Sequence, residues 1–332
     1  MAVLLVASGC DSKREHLLDG RTMGTTYHIQ VVTGAFGSVA GLQDKIDRRL
    51  YEINRSMSPY LKDSEISRFN RFSQVGGDFP VSWDFLQVMK AAAQIHALSE
   101  GAWDGTVNPL VDLWGFGRAG QQDRVPPPEK IAARLADVGF QNIEISDSGA
   151  LVKRRASVSL DLSSIAKGFG VDQVADVIRQ AGFADFLVEI GGEVYAAGVR
   201  PDGRPWRVGI NRPQPGARPD DLYKVVTLQN QALATSGDYR QFFVQDGVRY
   251  SHIIDPQTGY PVTNRVVSVS VMADTCTFAD GLATAVMVMG AEKGLALINR
   301  LEDVDGLIVV EGPGGELVDH PSKGFRMENV PQ

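Results

Sequence analysis

The chain of 332 residues is 43% apolar and 22% charged, carries a formal charge of −7 and contains no run of lysine or arginine. These values are typical of a soluble globular protein, and the length is sufficient for one large domain or two smaller ones. The charge argues against nucleic acid as a partner. A phosphate-rich ligand needs local help here, from a metal ion, a helix N-terminus or a few placed cations.

The N-terminal segment MAVLLVASGC is a short apolar run that ends in small residues and Cys10. It is typical of the end of a bacterial lipoprotein signal, because so short a run cannot span a bilayer and the cysteine stands where lipid is attached. Two features depart from that pattern: no basic segment precedes the run, and Ala7 occupies the place where leucine is usual. A fortuitous apolar start is the alternative interpretation.

If Cys10 is lipidated, Cys276 is the only other cysteine and no intrachain disulfide can form. Asp11 resembles the signal that retains some lipoproteins in the inner membrane. We therefore predict a signal remnant over residues 1–10, a polar tether over 11–19 and one folded domain over 20–325. The expected location is the periplasmic face of the bacterial inner membrane, with a lipid anchor at Cys10.

The elements of the domain come in blocks without strict alternation of helix and strand, which favours an α+β fold over a doubly wound sheet. The polar and proline-rich segment GRAGQQDRVPPPEK predicts a surface loop that leads into a helix near 128–138. In chain order the patterns predict a strand at 25–33, helices at 38–54 and 82–99, short strands within 142–160, a helix at 165–181, a strand-rich stretch at 185–272, a helix at 276–299 broken at Gly290, and a final strand at 306–310.

The segment GFGRAG at 115–120 matches the dinucleotide fingerprint G-x-G-x-x-G. That fingerprint works only between a strand and a helix, because the pyrophosphate binds at the helix N-terminus. Here the segment follows PLVDLW and runs into the polar loop. We therefore exclude a Rossmann-type site at this place.

A better phosphate-binding candidate is the segment DLSSIAKGFGVDQVADVI at 161–178. Asp161, Ser163 and Ser164 are of the residue types that cap a helix N-terminus. Lys167 falls in the first turn, where the helix dipole disfavours a cation unless an anion is bound there too. Gly168 and Gly170 weaken the helix but allow a ligand to approach its backbone. The alternative is an ordinary capped helix with glycines that serve packing.

Three further stretches are more polar and aromatic than a plain core requires. GAWDGTVNPLVDLWGFG groups Trp103, Trp114 and Phe116 around Asp104 and Asn108, as a wall for a flat ring does. TSGDYR at 235–240 is a tight turn that carries a hydroxyl, a carboxylate and an arginine. YSHIIDPQTGYPV places His252 at the end of a strand, near Asp255 at a turn, although a lone histidine is more often structural.

The segment TFADGLATAVMVMG at 277–290 has the apolar spacing of a buried helix, with Leu282, Ala285, Val286 and Met289 on the core side. Asp280 and Thr284 stand four residues apart, so their oxygens share one face of that helix.

Eight motifs together resemble the ApbE-type FAD:protein FMN transferases, in the order of that family from about Gly20 to Val310. They are RTMGTTY, SPYLKDSEISRFN, GAWDGTVNPLVDLWGFG, DLSSIAKGFGVDQV, VEIGGEVYAAG, ATSGDYRQFF, HIIDPQTGYPV and TFADGLATAVMVMG. The resemblance implies a T-fold-like α+β architecture of mixed and antiparallel sheets with packed helices. It also implies transfer of the FMN moiety of FAD to a threonine or serine hydroxyl of a target protein, with release of AMP.

The resemblance further implies a Mg2+ ion held by Asp280, Thr284 and the segment around Ser164, whose backbone carbonyl is the safer ligand to name. His252 matches the proposed base for the acceptor hydroxyl and, with Asp280, is a catalytic candidate. The residues implied to line the flavin nucleotide are Met23, Tyr60, Ala102, Trp103, Asp104, Asp161, Lys167, His252 and Ile253. The implied partners are FAD and the flavin-carrying subunits of membrane redox complexes, of the sodium-pumping NADH:quinone reductase or Rnf type.

Two alternatives share the same site. The first is a Mg2+-dependent FAD pyrophosphatase, in which water replaces the acceptor hydroxyl and FMN and AMP are released. The second is a non-catalytic FAD-binding lipoprotein that acts as a carrier. Survival of bound FAD in the presence of Mg2+ and an acceptor protein distinguishes the carrier from both enzymes.

Overall fold

A computed structural model describes residues 13–117, 124–218, 221–239 and 241–330 of the chain. Cys10 and the predicted signal remnant therefore lie outside the described residues. Within the described ranges, no helix is both long and apolar enough to cross a membrane.

The helices are α1 Leu42–Met57, α2 Glu65–Arg71, α3 Trp83–Leu98, α4 Asn108–Leu113, α5 Pro128–Leu135, α6 Ser163–Gln180, α7 Cys276–Met289 and α8 Ala291–Ile298, with a 3-10 turn at Phe140–Asn142. The strands are β1 Arg14–Thr22, β2 Thr25–Thr33, β3 Asp78–Phe79, β4 Ile143–Ile145, β5 Leu151–Lys153, β6 Phe186–Ile190, β7 Glu193–Ala197, β8 Trp206–Asn211, β9 Leu222–Leu228, β10 Gln231–Gly237, β11 Phe242–Gln245, β12 Val248–Ser251, β13 Val266–Ala273, β14 Asp305–Glu311, β15 Leu317–Pro321 and β16 Glu328–Asn329.

An eight-stranded sheet in the order β1-β2-β6-β7-β10-β13-β14-β15 forms the centre of the fold. Every neighbouring pair in it is antiparallel. Strand β13, with the sequence VVSVSVMA, is buried along its whole length, since both faces of the sheet are covered there. Helices and antiparallel strands in this arrangement confirm the predicted α+β class.

The two faces of the sheet pack against different layers. On one face, the main hydrophobic core joins α1, α3, α6 and α7 to inward-facing side chains such as Ile29, Val188 and Val271. On the other face, Val194, Leu233 and Val309 pack against a three-stranded sheet of order β16-β9-β8. Two smaller sheets complete the fold: β3-β5-β4 adds Ile143 and Leu151 to the main core, and β11-β12 packs through Phe243 in a separate cluster.

The predicted polar tether over residues 11–19 is wrong for its larger part, because β1 begins at Arg14 and pairs with β2 along its entire length. Exposed and half-buried residues alternate along β1. Because this strand lies at the edge of the sheet and has a polar face, it lacks the apolar pattern from which a strand is predicted. The predicted final strand corresponds to β14, but β15 and β16 follow it. These two are short and half exposed, so they lack the apolar pattern of a core strand.

Several predicted helices are confirmed with small shifts at their ends. Helix α1 begins only after Gly41, whose left-handed φ of 73° interrupts the helix predicted from residue 38. The break at Gly290 is confirmed, since this residue has a φ of 82° and separates α7 from α8. The residues before GFGRAG form helix α4 and not a strand, which agrees with the exclusion of a Rossmann-type site; residues 118–120 of that segment lie outside the described ranges.

Candidate active site

A cavity of about 600 Å³ lies where the N-terminal end of α6 meets α7, the central strand β10 and the loop around Trp103. Its walls bring together segments that are far apart in the chain, including the turn between β6 and β7 and the strand end at His252. Of the predicted site residues, the following line it: Ala102, Trp103, Asp104, Asp161, Ser164, Lys167, His252, Ile253, Asp280 and Thr284.

Helices α6 and α7 are in close contact at Gly168. A Cβ atom at this position would lie 2.3 Å from the carbonyl oxygen of Cys276, so only glycine fits. The Gly168 N–H donates a hydrogen bond of 2.9 Å to Oδ2 of Asp280. The group that lies close to Gly168 is therefore the backbone of α7. At Gly170 an added Cβ atom would lie nearest to Cε of Met23. The expected approach of a ligand to these two glycines is wrong.

Asp280 is 3% exposed, and burial raises the pKa of its carboxyl, against the opposing effects of Lys167 and the Gly168 N–H. Lys167 forms an ion pair of 2.5 Å with Oε1 of Glu193, the first residue of β7. Burial alone would lower the pKa of the Lys167 ammonium, but the charges of Asp280 and Glu193 outweigh it and hold this pKa above its usual range. One cation thus faces two carboxylates.

Glu193 is 2% exposed, and its second oxygen, Oε2, is buried with no hydrogen-bond partner in the described structure. Burial raises the pKa of its carboxyl, and the neighbouring Lys167 opposes that effect. A buried carboxylate oxygen without a donor is costly. The cluster therefore has unmet capacity for a positive charge or a hydrogen-bond donor.

The hydroxyl of Thr284 lies 3.0 Å from the hydroxyl of Ser236 on β10, on the same face of α7 as Asp280. The predicted convergence of the Asp280 and Thr284 side chains on one cavity is therefore observed. The side chain of Ser164 accepts a hydrogen bond of 3.1 Å from the indole N–H of Trp103. It does not cap α6, for which Leu162 is the N-cap residue.

Asp161 and Asp104 organise the backbone around the cavity. Oδ1 of Asp161 accepts a hydrogen bond from the N–H of Ser163 at 2.8 Å. Oδ1 of Asp104 accepts from the N–H and hydroxyl of Thr106, and Oδ2 from the N–H of Phe140 at 2.8 Å. Both Asp104 oxygens therefore already have partners, so this residue shapes the loop from within.

His252 lies half-buried at the rim of the cavity, just after the hairpin of β11 and β12. Its Nδ1 is 3.2 Å from the carbonyl oxygen of Gln241. Burial lowers the pKa of the imidazole, and the charge of Arg249 acts in the same direction. Asp255 is engaged elsewhere, since it accepts hydrogen bonds from the Gln257 N–H at 2.8 Å and the Thr258 hydroxyl at 3.1 Å.

The predicted aromatic wall is only partly present. Trp103 lines the cavity, but Trp114 is fully buried in a separate cluster, stacked on Tyr250 with ring centroids 5.5 Å apart. Phe116 stacks on Phe243 at 5.7 Å and meets the ring of His252 edge-on at 6.4 Å. Trp114 and Phe116 therefore support the hairpin that leads to His252, and the prediction that they form the wall of the site is wrong.

Met23 and Tyr60 are not among the described residues that line the cavity. Met23 has a positive φ of 48° in the turn between β1 and β2, and its side chain packs against α6 at Gly170. Tyr60 is 79% exposed. The contact of these two residues with a flavin nucleotide stays a prediction.

The residues at the cavity fit a Mg2+ ion better than a softer metal. In the described part of the chain, no group of three or more histidine, cysteine, aspartate or glutamate side chains is arranged to hold a metal. A cation beside Asp280 would therefore need hydroxyl, carbonyl, water and phosphate oxygens, which is the set that Mg2+ prefers. The cluster has two carboxyl groups for one ammonium group, and this ratio and the unpartnered Glu193 oxygen also fit an added cation.

Sequence reasoning did not single out Glu193 or Ser236. Glu193 carried a usable signal, because it is a charged residue that begins an otherwise apolar strand, EVYAA, whose members are all buried. Ser236 carried no such signal: the segment TSGDYR was predicted as a turn, but Ser236 lies in β10, and its contact with Thr284 depends on how α7 lies across that strand.

The sequence of the chain is similar to those of several known enzymes. A sequence model described as the ApbE family matches residues 23–308. The FAD:protein FMN transferase of Vibrio cholerae serotype O1 is 44% identical over 328 residues, which cover 98% of this chain and 96% of the relative. The enzyme of the same name from Haemophilus influenzae is 40% identical and covers 90% of this chain and 88% of its own.

Solved structures give the same result. The flavin transferase ApbE from Vibrio cholerae superposes with a TM-score of 0.85 at 44% identity, over 94% of this chain and 98% of that one. The apo form of the flavinyl transferase ApbE from Pseudomonas stutzeri superposes with a TM-score of 0.84 at 38% identity, over 94% and 95%. With the family model matched over most of its length, this chain belongs to the ApbE family.

Proposed function

We propose that this protein is an FAD:protein FMN transferase that moves the FMN moiety of FAD onto a threonine or serine hydroxyl of a target protein. The acceptor oxygen bonds to the phosphorus of the FMN moiety, the bond from this phosphorus to the oxygen shared with AMP breaks, and AMP leaves. The observation that carries the proposal is the single cavity lined by Lys167, by the Asp280 and Thr284 face of α7, and by His252. The resemblance to flavin transferases along nearly the whole chain supports it.

His252 takes the proton of the acceptor hydroxyl. Its Nδ1 lies 3.2 Å from the carbonyl oxygen of Gln241. A carbonyl oxygen can only accept a hydrogen bond, so the ring hydrogen is on Nδ1 and the lone pair of Nε2 can accept a proton. Because burial lowers the pKa of the ring, the imidazole is neutral at pH 7 and able to accept a proton. Such help from a general base typically accelerates a reaction by about 10²–10⁴-fold.

The diphosphate of FAD binds at the N-terminal end of α6. Lys167 supplies the positive charge, and both Ser163 and Ser164 line the cavity there. Helix N-termini attract phosphate because their first N–H groups have no partner within the helix. A Mg2+ ion, when bound, would neutralise charge on the diphosphate as the phosphoryl group moves. Asp280, Thr284 and the Ser164 carbonyl are the groups that would hold it.

The test is mass spectrometry of a flavin-acceptor domain incubated with the protein, FAD and Mg2+. We expect an added mass equal to FMN on the acceptor and stoichiometric AMP in solution. Free FMN and AMP without modification of the acceptor would instead identify a pyrophosphatase, and intact FAD would identify a carrier. Activity that persists in EDTA would contradict the metal requirement.

Two variants separate the roles of individual residues. His252→Ala should abolish transfer and leave the affinity for FAD within a few-fold of the wild type, because FAD is held mainly elsewhere in the cavity. Asp280→Ala removes the anionic ligand, so we expect transfer to fall by orders of magnitude while circular dichroism stays unchanged. Transfer by His252→Ala at the wild-type rate would show that this histidine is only structural.

The proposed setting is the periplasmic face of the inner membrane, with a lipid on Cys10 and flavin-carrying subunits of membrane redox complexes as acceptors. The apolar run that ends at Cys10 supports this proposal. Cys10→Ser should move the protein from the membrane fraction to the soluble fraction without loss of activity in vitro. Recovery of unlipidated native protein from the cytoplasm would contradict it.

A further inference from the structure

Asp172, a residue of α6 outside the cavity, accepts three hydrogen bonds from the start of α7. Its Oδ1 accepts from the Cys276 N–H at 2.8 Å, and its Oδ2 accepts from the Thr277 N–H at 2.8 Å and the Thr277 hydroxyl at 2.5 Å. The first N–H groups of a helix have no partner within it, and a carboxylate is favourable at that end of the helix dipole. Asp172 therefore ties α7 to α6 at its first two residues.

A second tie runs in the opposite direction one helical turn away on each helix. The Gly168 N–H of α6 donates to Oδ2 of Asp280 on α7. In a regular helix this N–H would pair with the carbonyl of residue 164, four positions earlier. The Gly168 N–H donates to Asp280, so it is at most shared with the Ser164 carbonyl. That carbonyl therefore has capacity to bind another group. The same bond fixes one Asp280 oxygen and leaves the other oxygen for the cavity.

We infer that Asp172 is a positioning residue for the Mg2+ site: by tying the N-terminus of α7 to α6, it keeps Gly168 against Asp280 and so sets the geometry of Asp280 and the Ser164 carbonyl together. The inference rests on the metal site of the proposed function. The two helices are packed tightly at Gly168, because a Cβ atom there would overlap the Cys276 carbonyl. A shift of α7 by about an ångström would lengthen the 2.9 Å bond beyond hydrogen-bonding distance.

The effect of breaking the tie should appear in metal affinity before it appears in the fold. Groups that orient metal ligands through hydrogen bonds typically change metal affinity by about 10–100-fold when they are mutated. Asp172→Asn keeps the size of the side chain but turns one acceptor into a donor that faces backbone N–H groups. Thr277→Val removes only the hydroxyl bond, and Thr277→Ser retains it.

The experiment is titration of Mg2+ into the FAD-saturated full chain, followed by calorimetry, together with the rate of flavin transfer as a function of Mg2+ concentration. We expect Asp172→Asn to raise the Kd for Mg2+ by about 10-fold or more, with transfer largely restored at saturating Mg2+. Thr277→Val should raise the Kd by a smaller factor, and Thr277→Ser should match the wild type. The matched control is Asp176→Asn, one turn further along α6, where the half-exposed carboxylate pairs only with Arg179 in the described structure; its Kd should not change.

Three results would overturn the inference and leave the proposed function standing. The first is a wild-type Kd in folded Asp172→Asn; the second is a transfer rate that falls equally at every Mg2+ concentration. If Asp172→Asn does not fold, Thr277→Val provides the test. The third contradicting result is then a wild-type Kd for Mg2+ in Thr277→Val. Failure of the wild type itself to bind Mg2+ would overturn the metal assignment of the proposed function, and this inference with it. Wild-type binding with an unaffected Asp172→Asn would overturn the inference alone.

Discussion

Gly168 and Gly170 lie two residues apart in α6 and should respond in opposite ways to replacement by alanine. At Gly168 the new Cβ atom would lie 2.3 Å from the Cys276 carbonyl oxygen and 2.8 Å from Cβ of Asp280. At Gly170 it would lie 2.9 Å from Cε of Met23, the flexible end of a side chain that can rotate away. The pair therefore compares a rigid obstacle with a movable one in the same helix.

The magnitudes follow from these contacts. Gly168→Ala forces α6 and α7 apart by about an ångström, and such overpacking costs about 1–3 kcal/mol. The bond from Gly168 to Asp280 is then lost, which leaves a buried acceptor unpaired at a further cost of about 1–3 kcal/mol. Alanine offsets this by about 1 kcal/mol through its higher helix propensity. The net expectation is a loss of about 1–5 kcal/mol, whereas Gly170→Ala should lie between no change and a gain of about 1 kcal/mol.

Urea unfolding followed by circular dichroism measures both variants, and titration of Mg2+ measures the site. Gly168→Ala should show a lower unfolding midpoint with an unchanged slope, together with weaker Mg2+ binding. Gly170→Ala should show neither change. Equal stability of the two variants, or a stabilised Gly168→Ala, would refute the view that α6 and α7 touch at Gly168.

Three further predictions concern ionisable groups. Because burial lowers the pKa of His252 and only the neutral ring accepts a proton, kcat/KM for transfer should rise with pH and level off with a midpoint below 6.5; a midpoint above 7 would contradict this. Burial lowers the pKa of Lys153 to about 8, so the unfolded chain binds its proton more strongly and stability should rise with pH between about 8 and 10.5. Keeping the Lys153 ammonium charged in the folded state at pH 7 costs about 3 kcal/mol of stability, partly offset by its hydrogen bond of 3.3 Å to the Asn70 carbonyl. Lys153→Met should therefore unfold at a higher urea concentration than the wild type at pH 7, and the difference should be smaller at pH 10. Asp104→Ala leaves the N–H groups of Thr106 and Phe140 without their acceptor and should lower both the thermal midpoint and the affinity for FAD, measured by flavin fluorescence; unchanged FAD affinity would show that the loop keeps its shape without this carboxylate.

The parts of the fold that could be predicted are those whose pattern is local. The spacing of apolar residues determines α7, and the four-residue interval between Asp280 and Thr284 places both on one face whatever α7 packs against. Gly290 ends α7 because its φ of 82° is accessible to glycine. Strand β2 was predicted with its observed bounds, Thr25–Thr33, since its apolar residues are flanked by turn signals.

The parts that could not be predicted depend on contacts between distant segments. Trp114 and Trp103 have similar surroundings in sequence, yet only the fold decides that one is enclosed beneath the β11–β12 hairpin and the other faces the cavity. The ion pair between Lys167 and Glu193 could not be predicted for the same reason. Glu193 comes close to Lys167 only through the β6–β7 turn at Gly191 and Gly192. Asp172 had no signal at all, since an acidic residue in mid-helix usually faces solvent.

The central sheet has a consequence for the way the protein is made, because its eight strands lie side by side in the order of their synthesis. Each strand that leaves the ribosome can join the one before it, and no strand has to wait for a later segment to be inserted between two existing neighbours. The cavity is different, since its wall from β10 is complete at Gly237 but its wall from α7 ends at Met289. At a synthesis rate of about 5–20 residues per second, the roughly fifty residues between these points take about 3–10 s. The edge of β10 stays open until β13, which ends at Ala273, pairs with it, so the nascent chain is most exposed to pairing with another chain during the first part of this interval.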